Sequence, residues 1–180
     1  MDTIINNKES IQSALKEQIE GLVNWIANQK DAQFEFSLDG KWSTGQQLEH
    51  LIKSTGPVGF AMNMPKNVLE EKFGSGEYSN RNYTEVITAY KKLLKEGAQS
   101  TSKFVPEVVQ VAQKSELLEG FGETGKALVI TIEKWSEEEL DKYQLPHPLL
   151  GKLTIREMLL FTVDHIQHHW NSLKANYSIV

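Results

Sequence analysis

The chain contains no cysteine. Disulfides, thiolate metal ligation and a cysteine nucleophile are therefore excluded together, and any metal site must draw on His, Asp or Glu. No run of about 18 apolar residues occurs, so the sequence offers no membrane span. No Lys/Arg-rich patch stands out, and the net charge is −5 with a pI near 5.6. Nucleic-acid binding is accordingly not expected. The sequence also lacks a G-x-S-x-G elbow, a phosphate-binding glycine loop and a dinucleotide fingerprint. The opening run MDTIINNKESIQSALKEQIE has no long apolar centre and no small-residue cleavage site, so it does not read as a signal peptide. The expected location is the cytoplasm.

What is present is ordinary in bulk. At 180 residues, 39% hydrophobic and 24% charged, the chain suits one domain, residues 1–180, with a sizeable core. Its pattern is helical. Asn6 or Asn7 caps a first helix reaching about Asn28, with Ile11, Leu15, Ile19, Leu22 and Ile26 in a single stripe. Residues 30–42 read as a loop. Ser43 with Gln46 forms a capping box for a second helix, which Pro57 ends or kinks unless residues 58–63 continue it helically. Residues 73–80 read as a polar loop. Asn82 with Glu85 starts another helix.

Ser100 to Ser102 and Pro106 interrupt the pattern. From Glu107 the chain reads as helical to about Trp135, with a break suggested by Gly120, Gly122 and Gly125. Ser136 with Glu139 caps a short turn ending near Lys142, and Pro146-His-Pro148 with Gly151 forms a joint. Thr154 with Glu157 caps the last helix. The one β-leaning cluster is Val129, Ile130 and Ile132, and it lies in a helical context. The expected fold is all-α, a four-helix bundle with extra short helices.

Chemistry concentrates in Asp164-His165-Ile166-Gln167-His168-His169. Residues four apart share a helix face, so His165 and His169 point the same way, as two ligands of one metal must. With Ile155 set at 0°, His169 falls at about −40° and His165 at about −80°, flanking the apolar stripe. His168 at about −140° and Asp164 at about 180° fall on the outer face. From spacing alone, His165 and His169 also fit semi-buried histidines with local partners. His50 points away from the stripe of Leu48, Leu51, Ile52 and Thr55, which places it at the surface. His147, between two prolines, reads as a loop-surface residue. Trp42 and Trp135 each precede a helix cap and read as helix-entry packing residues, with stacking in a substrate pocket as the second reading for Trp42. Glu157 reads as a cap, and Glu133 to Asp141 as a solvated acidic face.

Several motifs, taken together and in order, carry a resemblance. They are Trp42-Ser43-x4-Leu48-x-His50-Leu51, Trp135-Ser136-x2-Glu139-Leu140, Leu149-Leu-Gly-Lys-Leu-Thr-Ile-Arg-Glu-Met158, and Phe161-x3-His165-x3-His169. The chain resembles the DinB-like family. The resemblance implies a four-helix bundle with a long crossover and a divalent metal at one end of the bundle. Its ligands would be His50, brought inward, with His165 and His169. Zinc or nickel is the leading expectation, although imidazole also suits iron and copper. The family implies a metal-dependent hydrolase or a thiol-dependent transferase. The expected partner is then a small-molecule substrate, with thiols among the candidates. The alternative is a non-catalytic metal- or ligand-binding bundle, or an interaction protein of the stress-response type. A homodimer is the expected assembly. The stretch from about Gly97 to Gly125 looks longer than in short family members and bears on the pocket mouth.

Overall fold

The structure is a computed structural model that describes residues 5–76, 81–99 and 101–177. Residues 1–4, the Glu77–Asn80 part of the expected polar loop, and Ser100 of the expected Ser100–Ser102 break lie outside the described residues. Eight helices and one small hairpin follow in chain order among them. They are α1 (Lys8–Ala27), α2 (Asp31–Glu35), α3 (Thr44–Met62), α4 (Lys66–Phe73), α5 (Tyr83–Lys95), α6 (Lys114–Glu133), α7 (Glu137–Lys142), β1 (Gln144–His147), β2 (Gly151–Thr154) and α8 (Ile155–Tyr177). The fold is predominantly α-helical, as expected.

The four long helices form a closed ring of neighbours. α1 packs on α6 and α8, and α3 packs on α6 and α8. Their apolar stripes meet inside. Leu15, Ile19 and Leu22 of α1, Leu48 and Leu51 of α3, and Ile155, Leu159, Ile166 and Leu173 of α8 are all buried, as the periodicity predicts. The long connection between α3 and α6 carries α4, α5 and two 3-10 turns, Ser102–Phe104 and Val111–Gln113.

Caps set the helix starts. Asn7, Ser43, Asn82 and Ser136 each accept a backbone N–H of the first turn. Thr154 and Glu157 exchange reciprocal bonds at the start of α8.

Four local expectations need correction. Residues 30–42 are not all loop, because α2 forms there and buries Phe34. Pro57 is not among the four: α3 runs on past it to Met62, the continuation that the sequence allows. The helix expected from Glu107 begins at Lys114. It then passes unbroken through Gly120, Gly122 and Gly125. At Gly125 the reason is packing, since a Cβ there would lie 2.4 Å from Cδ1 of Ile19 on α1. Finally, the only strands among the described residues lie at the Pro146–Gly151 joint, whereas the β-leaning Val129–Ile132 cluster is helical, as its helical context implies. That joint is an antiparallel hairpin pairing Leu145 with Leu153 and His147 with Gly151. Gly151 takes φ +75°, a left-handed conformation that suits glycine in the turn.

Candidate metal centre

His50 enters the site from the second turn of α3, where the Ser43 cap fixes the start of the helix. His165 and His169 descend one face of α8. All three are buried, at 5%, 6% and 8% exposure. The structure brings the three rings together. His50 and His165 ring centroids are 5.0 Å apart, His50 and His169 4.8 Å, and His165 and His169 4.7 Å. One ligating nitrogen from each lies within 4.8 Å of the other two. His50 therefore faces inward, against the bare periodicity. The cause is its position: the 3-10 turn at Ser102–Phe104 covers this face of α3, so a polar residue there is enclosed.

Hydrogen bonds fix which nitrogens face one another. Nδ1 of His50 donates to the carbonyl of Phe104 at 2.7 Å. Nδ1 of His169 donates to Oε1 of Gln47 at 3.0 Å. Gln47 is itself oriented, because its Nε2 donates to the carbonyl of Trp42 at 3.1 Å. With Nδ1 protonated, a neutral ring presents an Nε2 lone pair. His50 and His169 thus both present lone pairs, and both point at Nε2 of His165, each at 3.1 Å. His165 supplies at most one N–H there. One of the two contacts must then set lone pair against lone pair.

An added proton would close that gap, but burial opposes it. Burial, with smaller contributions from neighbouring charge, holds the His50, His165 and His169 imidazoles below the usual histidine range, outweighing the Phe104 bond that favours protonated His50. A divalent cation meets the same three lone pairs without any proton. Nitrogens bound tetrahedrally at about 2.0–2.1 Å stand about 3.3 Å apart, close to the spacing found here. The residues present fit such an ion.

Around the cluster lies a cavity of about 510 Å³. Its walls come from α3, α5, α8, the hairpin and the 3-10 turn at Phe104. Most lining side chains are apolar or aromatic, among them Phe60, Phe104, Leu145, Met158 and Phe161. Trp42 does more than pack the helix entry. Its ring lies 4.9 Å from that of His50 and stacks at 6.3 Å on that of His169.

Other candidates resolve as follows. His168 is exposed, as expected. Glu157 is a buried cap that also binds Arg81 through both carboxylate oxygens. Trp135 is buried at the α7 entry, donating Nε1–H to the carbonyl of Met62. Asp164 is not on an outer face: it is 8% exposed and accepts the Tyr83 hydroxyl at 3.0 Å, because α5 covers that side of α8. His147 is not a surface residue either. It is 7% exposed and lines the cavity, its ring 4.3 Å from Phe161, because the hairpin folds over α8. Two groups of the site do not emerge from the sequence motifs. Gln47 lies one turn before His50 and so shares its face, which is the one cue the sequence offers. The Phe104 carbonyl belongs to the long segment between α5 and α6 and has no side-chain signature.

The DinB superfamily profile matches residues 14–173. The chain belongs to the DinB superfamily. All three clustered histidines, with Gln47 and His147, fall inside the matched span. No curated protein matches the chain. Among solved structures, an uncharacterized protein from Clostridium difficile 630 is similar, at 16% identity and a TM-score of 0.63. The likeness covers 99% of each chain and establishes a shared fold.

Proposed function

We propose that this DinB protein is a metal-dependent enzyme in which His50, His165 and His169 hold one divalent cation, zinc or nickel first. The observation that carries the proposal is the convergence of three Nε2 atoms with too few protons to bond one another. Gln47 and the Phe104 carbonyl act as outer partners that hold two rings in the ligating tautomer. When bound, the cation supplies Lewis acidity and makes a water or thiol nucleophilic near neutral pH.

The protein's own residues do the rest. The cavity is of a size that suits a small molecule. Its apolar walls exclude bulk water and favour a substrate with an apolar body. Trp42 shields the His50 and His169 rings on one side. The reaction classes proposed are hydrolysis and thiol-dependent transfer. A cavity beside the histidines favours either over a bundle that serves only as an interaction surface.

The test is elemental analysis of untagged protein, followed by calorimetric titration of the stripped protein with zinc or nickel. Wild type should bind one equivalent. His165→Ala and His169→Ala should abolish binding, and His168→Ala should not. Equal affinity in wild type and His165→Ala would overturn the site. Turnover of ester substrates against thiol adducts by the loaded protein then separates the two reaction classes.

A further inference from the structure

His147 is a buried histidine that the metal site does not use. It ends β1 and lines the same cavity. One phenyl ring, Phe161, separates it from the cluster, lying 4.3 Å from His147 and 5.0 Å from His165 between ring centroids. The hairpin turn fixes its protonation pattern. Backbone N–H groups of Leu149 and Leu150 both donate to Nδ1, at 3.1 and 3.0 Å. An atom accepting two N–H bonds carries no proton, so the neutral ring must carry its hydrogen on Nε2. That Nε2–H has no hydrogen-bond partner among the described residues, on a side chain only 7% exposed. Nε2 keeps some accessible surface on a ring that lines the cavity, so a ligand there can meet it.

From this geometry we infer that His147 is a fixed, uncharged hydrogen-bond donor that takes an oxygen of the ligand in the cavity. It is a positioning residue. The ligand class follows from the donor. A neutral imidazole offers direction but no compensating positive charge, and the one lysine lining the cavity, Lys103, is solvent-exposed. The ligand best served is an apolar body carrying an uncharged carbonyl-type acceptor. Protonating the ring would sacrifice both backbone bonds, and burial independently pushes its pKa down to about 4. The donor therefore keeps one form across the physiological range. This inference rests on the cavity being the substrate site, as proposed above, but not on the presence of the metal.

The test uses metal-free full-length protein and two probes of similar shape, acetophenone and ethylbenzene. Long-range ¹⁵N–¹H spectra should show His147 with a protonated Nε2 and a bare Nδ1 from pH 8 to 5. Acetophenone should shift the Nε2–H resonance, and ethylbenzene should not. The ratio of acetophenone to ethylbenzene affinity should fall about fivefold in His147→Phe, the loss expected for one neutral hydrogen bond. A proton on Nδ1, an unshifted Nε2–H, or an unchanged ratio would overturn the inference. If His147→Phe does not fold, the wild-type spectra alone decide. Zinc affinity of His147→Phe is measured in parallel and should match wild type. Failure of the metal site thus appears in the zinc titration and failure of the donor in the probe ratio.

Discussion

Oε1 of Gln47 stands 3.0 Å from Nδ1 of His169, and this contact decides which nitrogen of that ring faces its neighbours. Gln47 is 3% exposed and is held from behind by the Trp42 carbonyl. Replacing it with Leu removes the acceptor while keeping the volume similar. The His169 ring then exchanges tautomers freely. Gln47→Leu should lower zinc affinity by about 10–100-fold, the usual effect of losing an outer partner. Calorimetric titration checks it. Gln47→Glu should recover only part of that affinity, because its carboxylate accepts from Nδ1 but cannot donate to the Trp42 carbonyl. Unchanged affinity in Gln47→Leu would show that the Nδ1 acceptor has no part in holding the metal-binding ring.

Two glycines of α6 should respond oppositely to alanine. A Cβ added at Gly122 would meet no atom within 4 Å, so Gly122→Ala faces no obstacle. It should stabilise by about 1 kcal/mol through helix propensity. At Gly125 the added carbon would lie 2.4, 2.8 and 3.0 Å from Cδ1, Cγ2 and Cγ1 of the buried Ile19. Overpacking of about 1–3 kcal/mol should outweigh the same propensity gain. Thermal melts should thus move up for Gly122→Ala and down for Gly125→Ala, by about 2–4 °C per kcal/mol in a chain of this size. Equal shifts in one direction would contradict the close α1–α6 contact.

These glycines also mark how far the sequence is legible. Long helices with one apolar stripe, such as α1, can be read because burial on one side imposes a 3.6-residue period. The caps at Ser43 and Thr154 can be read because they are local. Gly125 reads as a break because its reason lies on another helix. His147 and Asp164 read as exposed for the same cause. Each is covered by an element its own local sequence does not reveal, α8 beneath the folded-over hairpin for His147 and α5 for Asp164. Periodicity suited to a helix with one buried face fails on α8, whose first twelve residues are all buried. His50 is legible as inward only through the family resemblance, since the 3-10 turn that encloses it has no signature of its own.

Acid should destabilise the metal-free protein through His147. Burial lowers its folded pKa from 6.5 to about 4. The unfolded chain therefore binds this proton first as pH falls. The contribution is complete above about pH 6.5 and is lost progressively towards pH 4, on the order of 3 kcal/mol in all. Urea denaturation at pH 7, 6, 5 and 4 should show this decline. In His147→Phe the decline over the same window should be shallower by one proton's worth. Identical slopes would show that His147 titrates normally in the folded state.

Glu157 should dominate at lower pH. Burial alone would raise its carboxyl pKa, but bonds from the Arg81 guanidinium and the Arg81 and Thr154 amides outweigh it and hold the pKa below the usual value. A depressed carboxylate stabilises the fold above its unfolded pKa of 4.5 and loses that contribution as pH drops further. Glu157→Gln keeps one acceptor oxygen and the shape, but removes the charge facing Arg81. It should cost about 1–3 kcal/mol at pH 7, a charge-assisted bond's worth, discounted because Arg81 is 35% exposed. The difference from wild type should shrink as pH falls below about 4.5, where the unfolded carboxyl takes up a proton before the native one does. Chemical denaturation of both proteins from pH 7 to pH 3 measures the gap. A gap constant with pH would assign Glu157 a purely geometric capping role, independent of its charge.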